Sequence, residues 1–422
     1  MRFLAIALLT FCATVGAACG AQTDLAKARE ELREAIEAAV KKHPEIGDRK
    51  AFVAGRVKGK NGWEDLKKLA LDWKATTEGE AAPAWVSVFM GAEQLRAEPY
   101  SEEEKNHLRV GFDATAAMSS SAAKLLTYDC LVELPDDTNE DEGVAAGIWS
   151  WFRGLWTRAN VACVLGRPAP EVKSAVELAY KLAMKFDFGS SIVGRLLTRA
   201  FRVGALETGL SIAESQSDRS TLLRSLRSVA PTRVFSPRDA WLGGCAYQVE
   251  TLRQWLKKTD AELDKEAKSI PSVTDKTTLA LLQWAKSDLE MNCGMLAHIP
   301  SSIQLGKPQD AKQVIDGYEA VSKDKPQSER DPVCSGVRSL IEHDLRESMS
   351  LVVVDLRIEE SRAGSLPDAA GQKRLLAAFD GLKIRQTDDG VEVTLSDDHP
   401  VLTLSADKER IPRQRVKRWS KK

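Results

Sequence analysis

Apolar residues spaced three and four positions apart dominate the chain, which is typical of helices with one buried face. The first such stripe consists of Leu25, Leu32, Ile36 and Val40. Its helix should end at His43-Pro44, because proline cannot continue a helix and disfavours helical geometry in the residue before it. A helix of this kind needs partners that cover its apolar face.

Three longer stripes follow, on 168–188, 282–299 and 337–356. Their members are Val172, Val176, Ala179, Ala183 and Phe186; Leu282, Ala285, Leu289, Cys293, Leu296 and Ile299; and Val337, Ile341, Leu345, Met349, Val352 and Leu356. Breaks rich in Pro, Gly, Ser or charge separate the helical segments, and one such break is expected at 323–332. The spacing of the breaks predicts about ten or more helices joined by short loops.

The β-branched run from Leu351 to Val354 fits either a buried strand or a helix, and we favour a helix because the last stripe continues through it. After residue 366 the pattern changes to short alternating stretches, at Leu382–Arg385, Val391–Leu395 and Val401–Leu404. Turn residues separate these stretches, so they are predicted to form a hairpin.

The predicted fold is therefore all-α, an irregular multi-helix array or α-solenoid-like body over 22–365, with a small C-terminal β-hairpin element over 366–406. A basic tail covers 407–422. No repeat of fixed length is visible, so the sequence does not single out one of the known helical-repeat architectures. The pattern leaves the oligomeric state open.

The first residues resemble a secretory signal peptide. Arg2 supplies a positive charge, the run from Phe3 to Ala18 is almost entirely apolar or small, and small residues close it at Cys19 to Ala21. The sequence thus predicts that 1–21 are removed and that the mature protein is periplasmic or extracellular. In a minority interpretation Cys19 carries a lipid anchor, since Ala17-Ala18-Cys19 resembles the end of a lipobox.

The charge of the chain is nearly balanced overall but unevenly distributed. The tail 407–422 holds eight Lys or Arg against two acidic residues, so the body carries an acidic excess. An acidic body argues against nucleic acid as a ligand. The tail is expected to be a solvated extension, with contact to an anionic surface as the alternative.

An aromatic cluster at Trp149, Trp151, Phe152 and Trp156 is the most concentrated candidate for binding. Helical spacing puts Trp149, Phe152 and Trp156 on one face, with Trp151 beside them. Packing in the core is the favoured interpretation, because each ring removes a large apolar area from water. A partner surface and a platform for sugar rings are the alternatives.

The sequence gives only weak indications of metal binding or catalysis. Asp137, Asn139 and Asp141 have the alternate spacing of a calcium loop, but the Gly and closing Glu that such a loop needs are missing. His343 and Glu347 share a helix face without a visible third ligand. No nucleotide, dinucleotide or nucleophile motif is present, so we predict no catalytic residue, no metal site and no cofactor.

Two segments resemble a family of uncharacterised, exported, helix-rich bacterial envelope proteins. They are Ser190 to Ala200, and Leu356 to Pro367 followed by short strands, a layout similar to the C-terminal part of pseudopilins. The Asp-Pro-x-x-Gly turn usual in such tails is absent, and so is a long N-terminal pilin helix. The resemblance implies an envelope location and a helical body, and carries no activity with it.

Two functions are compatible with these patterns. The first is an exported scaffold or interaction protein that binds another envelope protein. The second is an α/α-type secreted enzyme acting on polysaccharide, which would need facing carboxylates and tryptophans in one deep cleft.

Overall fold

The computed structural model describes residues 23–78, 82–93, 98–134, 142–215, 218–231, 233–388, 390–397, 399–401 and 413–417. Helix α1 covers 23–42 and a short 3-10 helix covers Pro44–Gly47. The next helices are α2 (Arg49–Ala54), α3 (Trp63–Glu78), α4 (Trp85–Gly91), α5 (Glu102–Ala114), α6 (Ala116–Leu125), α7 (Glu142–Val164), α8 (Ala169–Lys185) and α9 (Ile192–Ser215). They are followed by α10 (Arg219–Ser228), α11 (Pro237–Trp255), α12 (Asp260–Ser269), α13 (Thr278–Met295), α14 (Pro308–Ser322), α15 (Gln327–Ala363) and α16 (Ala369–Leu376).

The predicted all-α body with a small C-terminal β element is confirmed. Helix α1 ends before Pro44 as expected, and every residue of the three longer stripes is buried. The β-branched run 351–354 lies within α15, where Val352 and Val354 are fully buried. Among the described helices, not one has the length and hydropathy that crossing a bilayer requires.

Helix α15 extends further than the sequence predicts. It has 37 residues, about 55 Å of helix, and begins inside the break expected at 323–332 with Pro332 in its second turn. A proline so close to the start removes one backbone hydrogen bond, and burial of Val333 and Val337 directly after it favours continuing the helix.

The sheet is antiparallel with the order β1-β2-β3, formed by Leu382–Thr387, Gly390–Leu395 and Arg413–Lys417. Strands β1 and β2 are the predicted hairpin. Strand β2 alternates, with Val391, Val393 and Leu395 buried, and contacts α15. Of the third expected stretch, 402–404 lie outside the described residues.

The expectation of a solvated basic tail is wrong for residues 413–417. They form β3 on β2, with Val416 opposite Val391, and the Gln414 amide donates to Ser350 on α15 at 2.8 Å. The ladder of backbone hydrogen bonds accounts for the ordering of a segment that has few apolar side chains.

Two hydrophobic cores form, one on each side of the pair α9 and α15. The first contains α1, α2, α11 to α14, much of α15 and the sheet, and the second contains α3 to α10. Val354 and Ile358 of α15 belong to the second core, so this helix contributes to both. Polar residues on the contact between α9 and α15 are consequently buried between the two cores.

Candidate functional site

Three arginines lie on one face of α9. Arg195, Arg199 and Arg202 stand four and three positions apart, which places them within about 60° of arc on the helix. All three are buried, and most of the other residues of α9 are apolar. Buried guanidinium groups require partners, because an isolated charge removed from water is costly.

The partners are carboxylates of α15. Arg195 Nη2 lies 3.2 Å from both carboxylate oxygens of Asp344, and Arg199 Nη2 lies 2.9 Å from Asp344 Oδ1. Glu347, one turn further along α15, contacts Arg199 and lies 3.9 Å from Arg202 Nη1. Arg199 and Glu347 expose only 4% and 7% of their side chains, so this charge cluster is almost dry.

Asp187 closes the cluster on the side of Arg202. Its carboxylate accepts hydrogen bonds from the backbone N–H groups of Gly189, Val234 and Phe235 at 3.0, 2.7 and 3.0 Å. These bonds hold the chain between α8 and α9 against the segment that leads into α11. Arg195 Nη1 lies 3.4 Å from the carbonyl oxygen of Phe235 and ties the same segment to α9.

The polar contacts continue along both helices in the same order. Toward the C-terminal end of α9, Glu214 accepts from Arg357 Nη2 at 2.9 Å, and Arg357 Nη1 donates to Glu360 at 2.6 Å. Contacts that advance together along α9 and α15 show that the two helices run parallel.

A cleft of about 670 Å³ opens over this cluster, and we call it the arginine cleft. Arg195, Arg199, Asp344 and Glu347 form its floor. The walls combine apolar and charged side chains, namely Pro237, Ile303, Leu351 and Phe379 with Arg233, Lys307 and Asp380. Arg233 and Lys307 are exposed, and neither forms an ion pair with a described residue.

Asp344, Arg199 and Arg202 keep their charges at neutral pH. Burial works to raise the pKa of Asp344, but the attraction of Arg199, Arg195 and Arg233 outweighs it and holds that pKa below its usual value. Burial lowers the pKa of Arg199 to about 9 and that of Arg202 to about 10, so both arginines stay charged. Asp344 is therefore held as an anion and is unsuited to donate a proton.

The cleft favours a further negative charge. Its lining holds four basic residues against three acidic ones, and Arg195 Nε, which is buried, has no acceptor among the described residues. Guanidinium groups bind carboxylate and phosphate oxygens with paired hydrogen bonds. Arg233 and Lys307 at the mouth are placed to meet an incoming oxyanion.

The aromatic cluster predicted as a binding candidate lies elsewhere. Trp151, Phe152 and Trp156 are buried and Trp149 is half-buried. Phe152 stacks on Phe201 of α9 with ring centroids 4.4 Å apart, and the Trp156 indole N–H donates to Glu93 at 3.2 Å. This placement favours the packing interpretation, since exposed ring faces are needed for stacking on sugars.

Trp156 also borders a second cavity, of about 270 Å³, together with Glu93, Asn160 and Glu207. Because Trp156 exposes only 2% of its surface, its ring contributes an edge and no stacking face to this cavity. None of the four aromatic residues lines the arginine cleft.

The remaining sequence candidates give no site. The calcium-loop candidates Asp137, Asn139 and Asp141 lie outside the described part of the chain. Glu347 is held by Arg199 and Arg202 and is not directed to His343 in any described contact. Within the described ranges no group of His, Cys, Asp or Glu is arranged to hold a metal ion.

Sequence reasoning missed the arginines and Asp344 as a site. The segment Ser190 to Ala200, one of the two that resemble the envelope family, contributes Arg195 and Arg199 to the cleft. The available signal was three arginines on one face of an otherwise apolar helix, which predicts buried charges that need partners.

Comparison with protein-family models, with curated proteins and with solved structures gives no significant match to this chain.

Proposed function

We propose that the protein is an exported helical interaction protein whose arginine cleft binds an acidic segment of another envelope protein. The observation that carries the proposal is that two exposed cations, Arg233 and Lys307, which form no ion pair with a described residue, stand above a floor of buried arginines. Export rests on the signal-like residues 1–21 of the sequence.

The distribution of charge supports a macromolecular partner. The deep arginines already have internal carboxylate partners. Arg233 and Lys307, which have no ion-pair partner among the described residues, stand at the rim, where carboxylates on another protein's surface can reach them. Apolar side chains beside the charges, such as Ile303, Leu351 and Phe379, resemble the mixed composition of protein interfaces, in which Arg and aromatic residues are enriched.

The polysaccharide enzyme has less support. Such an enzyme needs a proton donor and tryptophans in one cleft. Asp344 and Glu347 in the arginine cleft are both paired with arginines, and no tryptophan lines that cleft. The acidic excess of the body likewise gives no support to nucleic acid as a partner.

The experiment compares two fluorescein-labelled peptides, one that alternates Glu with Leu and one with Gln in place of every Glu. We expect the Glu peptide to bind roughly tenfold or more tightly, and its affinity to fall as salt is raised, because the rim charges attract it through water. Fluorescence anisotropy titrations at low and high salt measure both effects.

A double variant, Arg233→Gln with Lys307→Gln, tests the rim directly. It should lose most of the preference for the Glu peptide, while Arg109→Gln, an exposed arginine 3.8 Å from Glu102 in the other half of the molecule, should keep it. Equal binding of both peptides, or equal behaviour of the two variants, would contradict the proposal. Inorganic phosphate that competes as strongly as the peptide would assign the cleft to small anions instead.

A further inference from the structure

A third cavity, of about 370 Å³, lies between α11 and α13 and shares no lining residue with the arginine cleft. Its lining includes four aromatic residues, Trp241, Tyr247, Trp255 and Trp284. We call it the aromatic cavity. Tyr247 is 42% exposed, so the cavity is open to solvent beside an aromatic ring.

Asp288 is the one charged residue among the described lining residues of the aromatic cavity. Its Oδ2 accepts from the Gln248 side-chain amide at 2.6 Å and from that of Asn292 at 3.2 Å. Asn292 is fixed in turn, because its backbone carbonyl accepts from the Trp241 indole at 2.8 Å. The carboxylate is thus held in one orientation, and no described residue donates to its other oxygen.

We propose that the aromatic cavity binds an organic ammonium ion, with Asp288 as its counter-ion and the rings of Tyr247 and Trp284 against its alkyl groups. Aromatic faces attract cations, and methylated ammonium groups in particular, because they also bury apolar surface against the rings. The inference does not depend on the function proposed for the arginine cleft.

The electrostatics of the cavity support a cation over an anion or a neutral ligand. No described Lys or Arg pairs with Asp288, and burial, with a smaller contribution from the nearby charge of Glu329, raises the pKa of Asp288 to about 6. The Asp288 carboxylate has no positive partner among the described residues, and a cationic ligand can supply one. Among the described residues, Arg49 already lies at one of these rings, with its guanidinium 5.1 Å from the Tyr247 centroid.

The ring of Trp284 gives a second indication of an incomplete site. Its indole N–H has no acceptor in the described part of the chain, although the atom is shielded from water. A ligand with a hydroxyl or carbonyl group that displaces the local packing would satisfy this donor, whereas an alkyl chain alone would not.

The test compares choline with 3,3-dimethylbutan-1-ol, which has the same shape and hydroxyl group but a neutral carbon in place of nitrogen. Isothermal titration calorimetry at pH 8, where Asp288 is ionised, measures both on the full chain. We expect choline to bind roughly tenfold or more tightly, as loss of an ion pair and of cation–π attraction implies. Equal affinities, or no binding of choline, would overturn the proposal.

Two variants refine the test. Asp288→Asn should weaken choline binding roughly tenfold or more and leave binding of the neutral alcohol unchanged, and Trp284→Leu should weaken choline more than the alcohol. Asp316→Asn, which removes an exposed carboxylate on α14, is the matched control and should bind both as the unaltered protein does. A loss of both ligands in Asp288→Asn with unaltered melting would show that Asp288 only shapes the cavity, against the proposal.

Discussion

Asp344 balances two buried arginines at once, because Arg195 and Arg199 both contact its carboxylate. Replacing Asp344 with Asn removes that charge and leaves both guanidinium groups without adequate compensation. We expect a loss of about 3 to 5 kcal/mol in the free energy of unfolding, the usual consequence of breaking a buried ion pair. Urea denaturation monitored by circular dichroism measures it.

The control for Asp344 is Asp316→Asn, which breaks an exposed pair with Lys312 at 2.7 Å. Exposed pairs contribute little, so this change should stay within about half a kcal/mol. Similar losses in the two variants would show that the buried charge cluster on α9 and α15 contributes no more to the free energy of unfolding than an exposed ion pair does.

Asp288 gives a pH dependence of stability. Its pKa is about 6 in the folded chain against 3.8 as the ordinary value, so between these pH values the folded state holds a proton that the unfolded state has lost. The free energy of unfolding therefore falls as pH rises through this window, by about 3 kcal/mol at most. Asp288→Asn lacks this titration.

The stability of Asp288→Asn relative to the unaltered protein should consequently increase between pH 4 and pH 7, as urea denaturation at both pH values would show. A difference between the two proteins that does not change with pH would mean that Asp288 ionises normally.

Strand β3 should contribute to the free energy of unfolding although it has only five residues. Ending the chain after residue 406 takes away the strand that pairs with β2 opposite Val391 and Val393, and breaks the contacts of Gln414 with Glu207 and Ser350. We expect the free energy of unfolding to fall by about 1 kcal/mol or more. Thermal and urea denaturation of the shortened chain measure the loss.

A full-length variant separates strand pairing from charge. Val416→Pro keeps every basic residue but removes a backbone donor from the strand, opposite Val391. It should destabilise the protein nearly as much as the truncation. Unaltered melting in both proteins would support the solvated tail that the sequence suggests.

The helices and strands were predictable where the hydrophobic pattern lies within one segment of the chain. Stripes on α8, α13 and α15, and the hairpin of β1 and β2, follow from spacing within one segment, and burial agrees with the spacing. Strand β3 was missed because Arg413 to Lys417 is almost wholly polar or basic, and its pairing depends on β2, a distant partner. The early start of α15 was missed because Val333 and Val337 outweigh Pro332 only once the core is present.

The arginine cleft was not predictable by the same means. Arg195 and Asp344 are 149 residues apart, and no spacing rule relates two helices so distant in the chain. Sequence alone shows three arginines on one face of α9. It cannot show which carboxylates meet them, nor that Arg233 and Lys307 stand above the same cleft.

For the molecule as a whole, the signal-like start predicts an exported protein. We expect the mature N-terminus to lie between Ala18 and Gln22, because the apolar run ends in small residues there. N-terminal sequencing of protein recovered from the envelope fraction measures it. An intact Met1 on protein from the cytosol would contradict export.

Because α15 contributes to both hydrophobic cores, we expect it to dock late in folding. Residues 149 apart, such as Arg195 and Asp344, meet only after a long loop closes, and contacts of this kind slow folding. Until α15 docks, the three arginines of α9 remain in water without their carboxylates. Docking of α15 should then bring the charges together, exclude the water between them and join the two cores.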